Sequence, residues 1–258
     1  MSKLRFSLIL AAGLMAWAAW AADAPFVGQW KLDAAKSRLT DQMKVASLGD
    51  NKFAFDFGVG TEAVTADGKD QPGYGGTTLA VTLEGPDALK VVRKKDGHML
   101  LTADWKLSQD GGVLSDDFTT FAPDGTASNL KYEYRRTTQT TGFTGTWESA
   151  SVKVGFDLTI KIQAHGEDGL SIVSPLSDKP KDLSFDGKDT PNTSSNAPAG
   201  STYSAKRVDE CTVAITDKLD GKTLDTQEYA LSADAKTLTL TIRRVGMQMP
   251  NIFVFDRQ

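Results

Sequence analysis

The sequence is poor in the residues that most often build catalytic and metal sites. In 258 residues it has one cysteine, Cys211, and two histidines, His98 and His165. A single cysteine excludes an intrachain disulfide, so a folded domain must be held together by its core alone. The histidines lie far apart in polar surroundings, without the clustered spacing of a metal site. We therefore predict solvated histidines, no metal and no cofactor.

A nucleophile is also missing from the pattern. Cys211 stands in an alternating row with Val213 and Ile215, which predicts a small buried hydrophobic side chain. A reactive thiol would need an electropositive and partly exposed setting. No Ser-His-Asp pattern has supporting context. We expect no catalytic residue and interpret the chain as a protein that is not an enzyme.

Excess positive charge is absent too. The formal net charge is −4, and lysines and arginines are scattered among the acids. The chain thus lacks the basic stripe that nucleic-acid binding requires. It also lacks a polybasic face for anionic membranes. We expect neither nucleic acid nor a membrane surface as a partner.

The chain has one long apolar run, and it lies at the N-terminus. The basic residues Lys3 and Arg5 precede an apolar stretch over residues 6–20, which ends in Ala19-Trp20-Ala21. This pattern is typical of a signal peptide cleaved after Ala21, and 15 residues are too few for a usual membrane-spanning helix. We predict a periplasmic or secreted protein without a membrane span in the mature chain.

The main positive feature is an internal repeat with a period of about 120 residues. Five blocks recur in the same order, which indicates a tandem duplication of a domain-sized unit. We place the first domain at residues 22–138 and the second at 139–258, following the signal peptide at 1–21. The paired blocks are Phe26–Trp30 and Phe143–Trp147, Asp67–Pro72 and Asp186–Pro191, Asp96–Gly97 and Asp220–Gly221, Leu107–Asp110 and Leu231–Asp234, and Tyr132–Arg136 and Phe253–Arg257.

Within each repeat, apolar and polar residues alternate with a period of two. This period is typical of strands with one face on a core and the other in water. Asp-Gly and Gly-Gly pairs between the strands favour tight hairpin turns. The spacing predicts an all-β fold of two antiparallel meander barrels with eight or nine strands each. A helix of one or two turns is expected within residues 33–44.

Each repeat opens with Gly-x-Trp and closes with an aromatic strand ending in arginine. The tryptophans are Trp30 and Trp147, and the arginines are Arg136 and Arg257. This pattern resembles that of lipocalins and other calycins. The resemblance implies that each tryptophan plugs the closed end of a barrel under the arginine of the same repeat, pairing Trp30 with Arg136 and Trp147 with Arg257. A guanidinium over an indole gives both cation–π attraction and apolar cover.

The chain more closely resembles the lipocalin-like domains of exported bacterial proteins. The first repeat carries the resemblance through residues 26–32 and Lys36-Ser37, whereas the second departs from it at residues 148–150. The resemblance implies a fold and supplies no catalytic residues. The repeated Asp-Gly-Lys-Asp-x-Pro block is interpreted as an exposed hairpin, because a calcium loop needs more ligands at fixed positions.

Three functions stay open at this point. Eight-stranded barrels can hold one small ligand, so a binding protein for a small apolar molecule is the first hypothesis. The second is a structural or interaction module with a protein partner in the cell envelope, and the third is a hydrolase at a barrel mouth. The candidate ligand-binding residues are alternate apolar residues of the second repeat: Phe156, Leu158, Val213, Ile215 and Leu240.

Overall fold

The computed structural model describes residues 25–58 and 60–258, so the predicted signal peptide at residues 1–21 lies outside the described residues. The described part of the chain is all-β, with one short 3₁₀ turn at Tyr74–Gly76. The strands form two ten-stranded antiparallel sheets, and each sheet curls into a barrel. The prediction of an all-β fold with two antiparallel barrels is confirmed, with ten strands in each sheet where eight or nine were expected.

Barrel 1 is built from ten consecutive strands. Their order around the sheet is β4-β3-β2-β11-β10-β9-β8-β7-β6-β5. The strands are β2 (Gln42–Gly49), β3 (Lys52–Asp56), β4 (Thr61–Thr65), β5 (Gln71–Pro72), β6 (Thr77–Leu83), β7 (Ala88–Lys95), β8 (His98–Leu107), β9 (Val113–Phe121), β10 (Ala127–Arg136) and β11 (Gly145–Val154).

Barrel 2 takes nine strands from the C-terminal part and one from the N-terminus. Their order is β14-β13-β12-β1-β20-β19-β18-β17-β16-β15. The strands are β1 (Gly28–Leu32), β12 (Thr159–Ala164), β13 (Gly169–Val173), β14 (Lys181–Ser184), β15 (Thr190–Pro191), β16 (Ser201–Asp209), β17 (Thr212–Leu219), β18 (Lys222–Leu231), β19 (Thr237–Arg244) and β20 (Asn251–Arg257).

The two repeats have exchanged their first strands. Strand β1 lies between β12 and β20 of the second repeat, and β11 lies between β2 and β10 of the first. Two segments cross between the barrels, residues 33–41 and residues 155–158. The boundary at residues 138 and 139 separates the sequence repeats, but it does not separate the sheets, because barrel 1 spans residues 42–154.

The exchange also changes the tryptophan–arginine pairs expected within each repeat. The guanidinium of Arg257 lies 4.2 Å from the centre of the Trp30 ring, and that of Arg136 lies 4.4 Å from the Trp147 ring. Both indoles are fully buried and donate a 2.9 Å hydrogen bond to the carbonyl of a phenylalanine four residues earlier. The expected pairing of Trp30 with Arg136 and Trp147 with Arg257 is wrong, because each tryptophan travels with its exchanged strand.

A crossing segment replaces the helix expected at residues 33–44. Residues 34–36 form a turn, and Ser37 donates its backbone N–H to the carbonyl of Asp33. Arg38 then bridges to Ile252 of barrel 2 before β2 begins at Gln42. The prediction of a helix is wrong because backbone bonds to β20 compete successfully with intrahelical ones in this segment.

Each barrel closes through the segment that follows β4 in barrel 1 and β14 in barrel 2, and we call this closure the seam. In barrel 1 the N–H of Gly68 donates to Val81, and in barrel 2 the N–H of Gly187 donates to Ala205. An ion pair also crosses each seam, and its two residues occupy equivalent positions in the strand pairings of the two barrels. Its polarity is reversed between the barrels, as Glu62 pairs with Arg93 in barrel 1 and Lys181 with Asp217 in barrel 2.

Candidate ligand-binding cavity

A cavity of about 520 Å³ occupies the interior of barrel 1 and opens where the two barrels meet. Its inner wall comes from β6 to β10, and its mouth is lined by the two crossing segments and by β18 to β20 of barrel 2. This volume lies within the range of about 300–1,000 Å³ that small-molecule sites occupy. The strand exchange contributes to the site, because both crossing segments lie at the mouth.

Aromatic rings form much of the wall. Phe57 stacks on Phe55 at 5.8 Å, and the Trp105 ring meets Phe57 edge-on at 6.3 Å. On the other side, Tyr132 stacks on a neighbouring tyrosine at 5.4 Å and meets Phe118 edge-on at 6.0 Å. These contacts hold large rigid side chains around the cavity, which suits an apolar ligand.

A buried acid stands among these rings. Asp116 is 5 % exposed and lies opposite Trp105, which is 3 % exposed, on the ladder between β8 and β9. Neither Oδ1 of Asp116 nor Nε1 of Trp105 has a hydrogen-bond partner within the described residues. Such unpartnered buried groups each cost free energy of folding, about 1–3 kcal/mol. Asp116 and Trp105 thus line the cavity, and these two polar atoms lie buried in its wall without completing a hydrogen bond.

Burial dominates the electrostatics of this acid. It raises the pKa of Asp116 to about 8, and the charges of Asp41, Asp117 and Asp104 add to the shift. The N–H of Trp105 acts in the opposite direction, although it stays outside hydrogen-bond geometry. The carboxyl is therefore largely neutral near pH 7.

A second polar group lies at the mouth. The hydroxyl of Tyr134 donates a 2.8 Å hydrogen bond to Oδ2 of Asp41, and Nη1 of Arg244 lies 3.8 Å from Oδ1 of the same carboxylate. Burial raises the pKa of Asp41, while Arg244 and Tyr134 oppose the shift. These contacts tie the crossing segment to β10 of barrel 1 and β19 of barrel 2.

The duplicated barrel shows that the fold does not require this acid. The rung that pairs Trp105 with Asp116 in barrel 1 pairs Tyr229 with Leu240 in barrel 2. Leu240 is buried in the packed core of barrel 2. An apolar residue at this rung is thus compatible with the same sheet, and Asp116 is a departure particular to barrel 1.

The structure brings two of the five candidate ligand-binding residues to the cavity. Phe156 and Leu158, on the second crossing segment and its junction with β12, line the mouth. Val213, Ile215 and Leu240 lie in the core cluster of barrel 2 instead. Sequence reasoning did not identify the inner wall of barrel 1. The available signal was Asp116, which interrupts an alternating apolar row, whereas the equivalent row of the second repeat is apolar throughout.

The remaining candidates lie away from the cavity. His98 is exposed, and His165 is about half exposed with Nδ1 3.6 Å from Asp182. Cys211 is exposed in the turn before β17, where its N–H bonds to Asp209. The expectation of a buried cysteine is wrong, because the alternating row begins only with the strand at Thr212.

The repeated Asp-Gly-Lys-Asp blocks hold turns and not a shared site. Asp67 and Asp186 each accept the backbone N–H of the lysine two residues on, which fixes the turn. The second acids pair with lysines on strands of the same barrel, Asp70 with Lys94 of β7 and Asp189 with Lys218 of β17. In residues 25–58 and 60–258, no group of three or more histidine, cysteine or acidic side chains could hold a metal ion.

Comparison with known proteins adds no family to this description. No protein-family model matches the chain, and no curated protein matches it. Among the described residues, no helix combines the length and the apolar character that crossing a membrane would need.

Proposed function

We propose that this chain is a binding protein that holds a small, largely apolar ligand in barrel 1. One observation carries the proposal: a cavity of about 520 Å³, walled by aromatic rings, is lined by the buried Asp116, whose Oδ1 has no hydrogen-bond partner. The pattern of residues 1–21 supports export as part of the same proposal, and the lipocalin-like start and end of each repeat agree with a ligand-holding barrel.

The contrast between the barrels supports the proposal. Barrel 2 fills the equivalent rung with Leu240 and Tyr229, both in its core cluster, whereas barrel 1 places Asp116 and Trp105 against open space. Selection for stability alone would favour larger side chains that fill this space, because cavities in cores lower the free energy of unfolding. A bound ligand would account for a space that the side chains leave unfilled.

Titration with a neutral apolar fluorophore, N-phenyl-1-naphthylamine, tests the proposal. We expect saturable binding with one site per chain and quenching of tryptophan emission, because Trp105 lines the cavity. Ala103→Phe should weaken binding at least about tenfold, since Ala103 lies on the wall and the added ring excludes apolar volume.

Ala214→Phe is the matched control. Ala214 lies on β17 of barrel 2, between the core residues Val213 and Ile215, so it faces away from that core. This variant should bind the fluorophore as the native protein does. Absence of saturable binding to the native protein, or equal binding by both variants, would contradict the proposal.

A further inference from the structure

The unpartnered polar pair in barrel 1 indicates what kind of ligand the cavity selects. We propose that the ligand carries a protonated amine on an apolar body, and that this amine binds the carboxylate of Asp116. The inference rests on the proposed binding function and adds the chemical class of the ligand.

The position of Asp116 supplies the first argument. It faces Trp105 on β8 and Tyr132 on β10, so aromatic residues flank it on both neighbouring strands. An ammonium group placed there would meet a carboxylate and two electron-rich rings, and both kinds of contact favour a cation. The apolar remainder of the ligand would extend along the aromatic wall toward the mouth.

The charges around the cavity supply the second argument. Arg93 already pairs with Glu62 at 2.5 Å and lies over the Tyr74 ring at 4.4 Å. At the mouth, Arg244 lies 3.8 Å from Asp41 and also acts on Asp225, whose pKa it lowers against the effect of burial. The cations that line the cavity therefore have anionic neighbours, while Asp116 has an oxygen without a partner. This imbalance favours a cationic ligand over an anionic one.

Proton balance gives the proposal a measurable signature. Without a bound cation, burial and the charges of Asp41, Asp104 and Asp117 raise the pKa of Asp116 to about 8, so its carboxyl is largely protonated at pH 6. Burial also holds Tyr132 in its neutral form by raising its pKa. An arriving ammonium ion forms its ion pair only when the carboxyl releases its proton to solvent. Affinity for the amine should therefore rise as the pH is raised from 6 to 8.

Three probes of one chain length test the class of ligand: decylamine, decanol and decanoate, each displacing the neutral fluorophore. We expect the native protein to prefer decylamine over decanol by about tenfold at pH 8, because a charge-assisted hydrogen bond is stronger than a neutral one. Decanoate should bind more weakly than either. The preference for the amine should shrink at pH 6.

Variants assign the preference to the proposed residue. Asp116→Leu should bind decylamine and decanol equally, and Leu240 at the equivalent rung shows that leucine fits this sheet. Asp116→Asn keeps the shape of the side chain and should lose the preference as well. Glu133→Gln is the control, because Glu133 is an exposed acid on the neighbouring strand β10, where it faces Ser115.

Each negative result would overturn a different part of the proposal. Equal or weaker binding of decylamine than of decanol by the native protein would overturn the amine proposal and leave the binding function intact. A preference for the amine that survives both Asp116 variants would overturn the assignment to this residue. Failure of all three probes and of the fluorophore to bind would overturn the binding function itself.

Discussion

Arg257 covers Trp30, although the two residues belong to different repeats and lie near opposite ends of the chain. The guanidinium also donates hydrogen bonds to the carbonyls of Pro25, Val27 and Ala235, which fixes the start of β1 to the end of β20. A duplicated sequence has thus produced two barrels that each depend on a strand from the other repeat.

Cross-linking should detect the exchange directly. Gln29 of β1 faces Lys161 of β12, and antiparallel partners lie close enough for a disulfide. In a Cys211→Ser background, we expect Gln29→Cys with Lys161→Cys to form an intramolecular disulfide on oxidation. Mass spectrometry of tryptic peptides identifies the linked pair.

The matched control is a cysteine pair that would lie close enough for a disulfide only in the unexchanged arrangement. Lys44 of β2 faces Thr146 of β11, the counterpart of Gln29, so Gln29 would face Lys44 if each repeat kept its own first strand. Gln29→Cys with Lys44→Cys should therefore stay reduced. Efficient formation of this second disulfide instead of the first would refute the exchange.

Arginine, and not merely positive charge, is expected to matter at the closed ends. Arg136 donates to the carbonyls of Gly111, Gly142 and Thr144 while it covers Trp147. Lysine cannot reproduce this planar set of donors, so Arg136→Lys should lower the free energy of unfolding by about 2 kcal/mol.

Urea titration followed by tryptophan fluorescence measures this loss. Arg135→Lys provides the control, because the neighbouring side chain is exposed on the same strand. That variant should stay within about 0.5 kcal/mol of the native protein. Equal effects of the two substitutions would argue against a role for the guanidinium.

Asp116 should make the ligand-free protein less stable as the pH rises. Its pKa is about 8 in the folded protein against an ordinary value of 3.8, so the folded state binds the extra proton between these values. The stabilising contribution is complete below about pH 4 and is lost as the pH rises through 8, at no more than about 1.4 kcal/mol per pH unit. Unfolding free energies measured from pH 4 to 9 should show this decline.

Asp116→Leu should flatten that part of the profile, because it removes the titrating group from the cavity. Glu133→Gln, which removes an exposed acid from the neighbouring strand β10, should keep the native slope. A native profile that rises between pH 5 and 8, with no difference between the two variants, would show that Asp116 is not protonated in the folded protein.

The reversed ion pairs at the two seams predict a compensating double substitution. Glu62 and Arg93 are 10 % and 5 % exposed, so Glu62→Lys should destabilise the protein by about 3 kcal/mol or more, through two buried cations in contact. Adding Arg93→Asp recreates the polarity of Lys181 and Asp217 in barrel 2 and should recover at least half of the loss. If chemical denaturation shows that the double variant loses as much free energy of unfolding as the two single variants together, the two seams are not equivalent.

Much of the fold follows from local patterns in the sequence. Alternation places Phe55, Leu158, Val213 and Ile215 on inward rows, and all four are buried. The Gly-x-Trp starts and the terminal arginines indicate that a first strand meets a last strand in each barrel, but not which repeat supplies each strand. These features depend on neighbouring residues, and local physics is enough to read them.

The exchange itself depends on a choice between two nearly equal pairings. Trp30 and Trp147 have the same Gly-x-Trp context, and Arg136 and Arg257 make similar contacts, so the sequence does not distinguish the partners. Backbone bonds of the crossing segments, such as those between Arg38 and Ile252, accompany the exchanged pairing. The cavity was equally hard to predict, because Asp116 becomes informative only once its rung is aligned with that of Leu240.

The exchanged strands also set an order of assembly during synthesis. All strands of barrel 1 precede residue 155, so this barrel can close while barrel 2 is still incomplete. Strand β1 is made first, yet its partner β20 ends at Arg257. Strand β1 therefore has no native partner until β12 is made, and its other edge stays open until β20 is made. Such an unpaired edge is exposed to chaperones and to mispairing with other strands.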